Sequence, residues 1–267
     1  MRRAAIIAGI AMLFAGVGAL ATTVVSTHAV LGEFARIVGG EAVEVVTIIP
    51  SGFCPALYDL TPSDLASVLD ASVVLYSGFE PWIQTLADAV GSDALFVQLP
   101  GSWYTPEAAA EKVRTIRDVL ASQLPESSED IGERAEAYTE ELLALGDALR
   151  EKAEAAEVSN VSVLCMQWQA DFVSWLGYHV AAIYGVPGDL SLRDLVALAA
   201  VGNDAGVQLV IDNLQSGVDF GAKLAREVDA IHVVLSNFPG AMPATATVID
   251  LMTRNAEALL SALEPLG

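Results

Sequence analysis

The stretch VEVVTIIPSGFCPALYDLTPSDLASVLDASVVLYSGFEPW, residues 43–82, decides the fold. Two β-branched runs, Val43–Ile49 and Ser72–Tyr76, predict strands on either side of a helical pattern over Thr61–Leu69. The helical pattern opens with Thr-Pro-Ser-Asp, which supplies a capping hydroxyl, a proline for the first turn and an acid near the positive end of the helix dipole. The order strand, helix, strand predicts a crossover between parallel strands.

The same alternation extends along the chain in both directions. Upstream and downstream in the first half, strands are predicted at Thr23–Thr27 and Ala94–Leu99, and helices at Ala29–Val38 and Glu80–Val90. In the second half, strands are predicted at Val161–Met166, Val180–Val186, Val207–Asp212 and Ala230–Ser236, and helices at Gln169–Leu176, Leu192–Ala200, Phe220–Glu227 and Ala244–Leu263. Each half therefore predicts its own parallel sheet.

One long amphipathic pattern, Ser127–Glu157, separates the two halves. Its apolar positions alternate by four and three residues, which predicts a single helix of about 40 Å with one buried face. A coiled-coil partner is the alternative use of such a face. We expect an α/β fold of two lobes, 22–126 and 158–267, each with a mostly parallel sheet flanked by helices and joined by this helix, with a ligand cleft between them.

Residues 1–21 have the pattern of a signal peptide. Arg2 and Arg3 precede an apolar run from Ala4 to Leu20 that ends in small residues. Apolar character continues through Val25, so an uncleaved N-terminal anchor is the alternative. Either way we expect an exported protein, in the periplasm or on the outer face of the cytoplasmic membrane.

The charge balance excludes some partners. Among 267 residues, 34 are acidic and 13 basic, for a formal net charge of −21. This charge repels nucleic acid and anionic lipid surfaces. The two cysteines, Cys54 and Cys165, are free to form a disulfide in an exported protein but do not have to.

The segment Pro50–Asp64, with Tyr76-Ser77-Gly78 and Glu80-Pro81-Trp82 after it, resembles the zinc and manganese solute-binding proteins of ABC importers. The likeness continues through Trp103–Pro106, the long helix and Asp250–Met252. It implies a monomeric binding protein that delivers its ligand to a membrane permease. It also implies a metal site of three histidines, or of two and a glutamate, with an aspartate.

The residues at the implied metal positions depart from that pattern. They are Ala56, Gly101, Met166 and Ser236, and none of them is the nitrogen or carboxylate ligand that zinc or manganese prefers. We therefore do not expect a standard zinc or manganese site.

Two other kinds of ligand site could take the place of the missing zinc or manganese site. Cys54, Cys165 and Met166, with Met242 and His28 as further candidates, offer thiolate, thioether and imidazole ligands that suit a transition metal such as copper. The alternatives are core packing or a disulfide between the cysteines.

The second replacement is an organic ligand held by aromatic faces, with Asp212 to hold a cation. For this cleft the candidate ligand-binding residues, which lie at predicted strand ends, are His28, Cys54, Ala56, Gly101, Trp103, Tyr104, Gln167, Trp168, Asp212 and Ser236.

Two other classes of function are less consistent with the sequence. An exported enzyme has little support, because the chain has no Gly-x-Ser-x-Gly and no His-Glu-x-x-His motif. A surface adhesin that kept the fold but lost the ion is the other alternative. The sequence favours a binding protein that is not an enzyme.

Overall fold

The computed structural model describes residues 21–90 and 93–263. The predicted signal peptide falls on residues 1–21, of which all but Ala21 lie outside the described part. Within the described ranges, no helix combines the length and apolar character needed to cross a membrane.

The N-terminal lobe is built on four parallel strands in the order β2-β1-β3-β4. Its elements are β1 (Thr22–Ser26), α1 (Ala29–Gly39), β2 (Val43–Thr47), α2 (Pro62–Leu69), β3 (Val73–Tyr76), α3 (Ile83–Val90) and β4 (Leu95–Gln98). The predicted helix at Glu80 starts later, at Ile83, because the Glu80 carboxylate instead binds the backbone of the preceding turn.

Two long helices follow the first sheet and pack against each other: α4 (Pro106–Gln123) and α5 (Ser128–Ala155). Helix α5 corresponds to the predicted long helix. Helix α4 was not predicted, although Thr105 caps it by accepting a hydrogen bond from the Ala108 N–H and Pro106 occupies its first turn.

The C-terminal lobe repeats the design with strands in the order β6-β5-β7-β8, again all parallel. Its elements are β5 (Ser162–Met166), α6 (Ala170–Trp175), β6 (His179–Tyr184), α7 (Leu192–Ala205), β7 (Leu209–Asn213), α8 (Asp219–Glu227), β8 (Ile231–Leu235) and α9 (Val248–Ser261). Helix α9 begins four residues after the predicted Ala244, because Ala244 has a φ of 58° and Thr247 forms a capping box with Asp250.

The hydrophobic core has three parts. A central cluster joins buried residues of both sheets to α1, α4, α5 and α9; Val24, Leu142 and Ile211 are examples. The outer face of the first sheet packs under α2 and α3, and the outer face of the second under α7 and α8. The predicted fold class is confirmed: two α/β lobes share a central helical layer that includes the long helix.

Two helical glycines make a matched test of this packing. A Cβ at Gly221 in α8 would collide with the buried carboxylate of Asp212, whereas a Cβ at Gly132 in α5 meets nothing within 4 Å. We expect Gly221→Ala to lower the free energy of unfolding by about 1–3 kcal/mol through overpacking. Gly132→Ala should raise it by up to about 1 kcal/mol, because alanine restricts the unfolded chain. Urea unfolding measures both, and a stabilised Gly221→Ala variant would contradict the packing described here.

Candidate interlobe ligand site

The carboxyl ends of strands from both sheets face one hollow between the lobes, with a volume of about 80 Å³. Both lobes contribute to its walls. The lining residues are Cys54, Pro55, Ala56, Phe79, Trp103 and Tyr104 from the N-terminal lobe, and Trp168, Asn213, Gln215, Ser216, Asn237 and Phe238 from the C-terminal lobe.

The turn after β3 is held by a buried carboxylate. Glu80 accepts hydrogen bonds from the Thr27 hydroxyl at 2.5 Å, the Ser77 N–H at 3.0 Å and the Gly78 N–H at 2.7 Å. Gly78 has a φ of 103°, a conformation that favours glycine. These contacts fix the turn that carries Phe79 into the cleft wall.

The loop after β2 is held from two sides. The Trp82 indole donates to the Pro55 carbonyl oxygen at 3.3 Å, and the Tyr58 hydroxyl donates to the Asp64 carboxylate at 3.1 Å. Residues of the Glu-Pro-Trp and Thr-Pro-Ser-Asp motifs therefore position the Cys54–Ala56 segment of the wall.

Aromatic rings close the hollow on the N-terminal side. The Trp103 ring centroid lies 5.0 Å from that of Tyr104, 5.7 Å from that of Phe238 and 5.8 Å from that of Phe79. The buried Trp103 indole also donates to the Asn237 carbonyl oxygen at 3.1 Å. Because Asn237 and Phe238 belong to the other lobe, Trp103 joins the two lobes at the cleft.

His28 lies behind this ring layer and does not line the hollow. Its Nε2 is 2.8 Å from the Ser77 hydroxyl, and its buried Nδ1 has no hydrogen-bond partner among the described residues. Burial, followed by the nearby charge of Lys112, lowers the pKa of His28 to about 3, so the imidazole is neutral at physiological pH.

Lys112 fixes the tip of β4. Its ammonium donates to the carbonyl oxygens of Leu99 at 3.0 Å and Pro100 at 2.7 Å, and burial lowers its pKa to about 8. Gly101, which follows, is exposed and outside the hollow. The backbone at the end of β4 is therefore held by the Lys112 ammonium, and Gly101 offers no imidazole at the position where the resemblance implies one.

An amide network forms the C-terminal wall. The Gln215 amide nitrogen donates to the Ser51 carbonyl of the other lobe at 3.1 Å and to the Ser236 hydroxyl at 2.9 Å. Its amide oxygen accepts from the Asn237 N–H at 3.1 Å and from the Asn213 side chain at 3.2 Å. The predicted ligand residue Ser236 is thus buried in the wall as a hydrogen-bond partner.

The structure brings Cys54, Ala56, Trp103, Tyr104 and Trp168 together in the lining. Gln167 is exposed and does not line the hollow.

Asp212, predicted to hold a cation in the cleft, lies outside the hollow. It is fully buried, accepts from the Tyr184 hydroxyl at 2.7 Å, and has its second oxygen 2.8 Å from the His232 Nε2. Since it contacts α8 and not the hollow, it is not available to hold a cation there.

The predicted soft-metal group is not assembled either. Cys165 and Met166 are neighbours on β5, so their side chains point to opposite faces: Cys165 into the central core and Met166 under the outer helices. Burial raises the pKa of the Cys165 thiol, which donates a hydrogen bond to the Met166 carbonyl oxygen. Both cysteines are free thiols.

No three His, Cys, Asp or Glu side chains converge as a metal site within residues 21–90 and 93–263. A larger hollow of about 680 Å³ lies at the opposite edge of the first sheet, near Ala21 and Glu126. Because it is at the amino ends of the strands, it is not the place where α/β sheets bind ligands.

Seven lining residues are not among the candidates predicted from the sequence: Pro55, Phe79, Asn213, Gln215, Ser216, Asn237 and Phe238. Phe79 had a visible signal, since it stands inside the Ser77–Trp82 motif directly after a strand. Five of them, from Asn213 to Ser216 and at 237–238, lie one to four residues past the predicted strand ends at Asp212 and Ser236, where only the turn geometry decides which side chain faces the cleft.

Two α/β lobes, a shared helical layer and a hollow at facing strand tips define a two-lobed solute-binding protein. Residues 24–262 match the family described as "Zinc-uptake complex component A periplasmic". The chain belongs to this family of substrate-binding components of metal importers, which are not enzymes.

The chain is similar to known proteins over nearly its whole length. The "Manganese-binding lipoprotein MntA" of Halalkalibacterium halodurans is 27% identical, with 95% of each chain covered. Among solved structures, a Mn-bound periplasmic metal binding protein from Candidatus Liberibacter asiaticus gives a TM-score of 0.81 at 14% identity, covering 91% of this chain and 100% of that one. The periplasmic zinc binding protein TroA from Treponema pallidum gives 0.79 at 18% identity, covering 91% and 99%. At these identities the two solved structures show the shared fold.

The buried neutral His28 predicts a pH effect on stability. Its folded pKa of about 3 is below the ordinary 6.5, so its contribution to stability is complete above pH 6.5 and is lost as the pH falls toward 3. Lowering the pH from 7 to 5 should therefore reduce the free energy of unfolding by about 2 kcal/mol, because the unfolded chain protonates this imidazole and the folded protein does not. His28→Gln, which keeps a partner for Ser77, should flatten this part of the pH profile. The surface control His179→Gln should not, and equal slopes in wild type and His28→Gln would refute the assignment.

Proposed function

We propose that this protein captures a solute between its lobes outside the cytoplasm and presents it to an ABC permease. The observation that carries the proposal is the hollow at the strand tips, to which each lobe contributes six lining residues. Such a site exists only while the lobes are together, so a permease can distinguish the loaded form from the open form. Under this proposal the chain is an exported monomer without nucleic-acid partners, either cleaved near residue 21 or anchored by residues 1–21.

The proposed cargo is a metal ion that reaches the cleft with ligands of its own. Metal transport is the family role, and relatives are named for manganese and zinc. In the lining, however, Cys54 is joined by amides and rings, not by imidazoles or carboxylates. One thiol and amide oxygens do not complete a zinc or manganese shell. If copper is the ion, Cys54 supplies one soft donor and the cargo supplies the others.

A small organic ligand is the second candidate, and the aromatic lining favours it. Phe79, Trp103, Tyr104, Trp168 and Phe238 offer π-faces, and the net charge of −21 attracts cations. A volume of about 80 Å³ is well below the 300–1,000 Å³ of drug-sized sites. The cargo, whether an organic molecule or a metal ion with its own ligands, must therefore be small, or the lobes must separate to admit it.

The lobes are expected to tilt only slightly. In the division we propose, the lobes are 22–126 and 158–267, and the segment 127–157, which contains α5, connects them. Because α5 is a continuous helix packed in the central core, it resists the bending that a wide hinge needs.

Analysis of the co-purified cargo tests the function. The protein is purified without added metal or chelator, then examined by elemental analysis and native mass spectrometry. A transition metal together with a chelator mass supports the main proposal, and an organic mass without metal supports the second candidate. Stoichiometric zinc or manganese without a chelator would overturn the account of the cleft. Trp168→Ala should release the cargo, while Leu192→Ala, an exposed residue on α7, should retain it.

Manganese and zinc ions added without a chelator are not expected to stabilise the protein. At 100 µM, neither MnCl₂ nor ZnCl₂ should raise the unfolding free energy by the about 2.7 kcal/mol that a ligand gives at a hundred times its Kd. The reason is the missing His, Asp and Glu ligands within the described residues. The manganese-binding relative from H. halodurans serves as the positive control. A shift of that size in this protein would contradict the prediction.

A further inference from the structure

Glu33, which does not line the cleft, connects its own helix to two other parts of the molecule. It lies on α1 in the N-terminal lobe, and its carboxylate is buried. The Val248 N–H, at the start of α9 in the C-terminal lobe, lies 2.8 Å from Oε1 and 3.0 Å from Oε2. The Tyr138 hydroxyl, on α5, donates to Oε1 at 3.0 Å.

The first turn of a helix leaves N–H groups without intrahelical partners and carries partial positive charge. In α9, Thr247 serves the Asp250 N–H, whereas the Val248 N–H is served by Glu33 from the other lobe. One carboxylate thus caps a helix across the lobe boundary.

The contact is maintained against a cost. Burial raises the pKa of Glu33, opposed in decreasing order by the Val248 N–H, the Tyr138 hydroxyl and the charge of Arg36; Asp250 on α9 adds to the increase. Beside it, an open hollow of about 370 Å³ between the lobes is lined by Arg36, Ser51 and Pro239 among others. The hydrogen bonds from Val248 and Tyr138 therefore offset the cost of burying this carboxylate at the junction of the lobes.

We propose that Glu33 is a positioning residue that sets the angle between the lobes, and with it the width of the ligand cleft. The chain from Asn237 in the cleft wall leads within eleven residues to Val248. A rotation of α9 away from Glu33 therefore shifts the C-terminal wall. The inference adds to the proposed function the residue that holds the closed form, and it depends on the lobe contact whatever the cargo is.

Two substitutions separate hydrogen bonding from size. Glu33→Gln keeps Oε1, which can accept from both Val248 and Tyr138. Glu33→Leu fills similar space but leaves both donors without an acceptor inside the junction.

The test uses the cargo-free protein, so failure to bind any solute does not affect it. Spin labels at Ala66→Cys on α2 and Asp204→Cys on α7, both exposed, report the distance between lobes in a Cys54→Ser background. Hydrogen exchange reports the Val248 amide. We expect wild type and Glu33→Gln to share one narrow distance distribution. Glu33→Leu should broaden it and speed Val248 exchange at least tenfold.

The matched control is Thr247→Ala, which removes the cap that α9 makes within its own lobe. It should speed exchange at Asp250 and leave the interlobe distance unchanged. If Glu33→Leu does not fold, Tyr138→Phe removes one of the bonds and should broaden the distances by itself. A wild-type distance distribution in the folded leucine variant, or in Tyr138→Phe when the leucine variant does not fold, overturns the proposal. So does a Thr247→Ala effect on the distance equal to that of the variant measured.

Discussion

The Trp103 indole lies buried between the two lobes and donates its N–H to the Asn237 carbonyl of the C-terminal lobe. Its ring also packs on Phe238 of that lobe and on Phe79 and Tyr104 of its own. Parting the lobes exposes this large apolar surface and leaves a carbonyl without its donor. The burial of His28 depends on the same contact, because its ring packs on Trp103 at 4.6 Å and on Phe238 at 5.3 Å.

The family scaffold and the family chemistry are separable in this chain. Backbone hydrogen bonds fix the loops at the strand tips: they involve Glu80 and Trp82. The start of α2 is fixed in the same way by the capping box that Thr61 forms with Asp64. None of them has to be a ligand, so the tips keep their places when the side chains that face the hollow change. Ala56 can therefore occupy a ligand position in an intact cleft wall.

The sequence carried the alternation of strands and helices, because it depends on local periodicity and on caps such as Thr61. It also indicated which strands end near a site. It did not tell which way each end residue points: Cys165 and Met166 differ by one position and face opposite sides of β5. Contacts such as Trp103 with Asn237, or Glu33 with Val248, join residues far apart in the chain and leave no local pattern. Helix α4 was missed although its Thr105-Pro106 start carried the usual signal.

The central cluster has a consequence for how the molecule comes apart. In the part of the chain that the structure describes, the two sheets share no backbone hydrogen bonds with each other, yet Val24 of one and Ile211 of the other belong to the same apolar interior. Neither lobe has a complete core of its own, since α5 and α9 cover surfaces of both. Heating should therefore melt the protein in one cooperative calorimetric event. Halves produced by cutting the chain would each expose the face that the other normally covers.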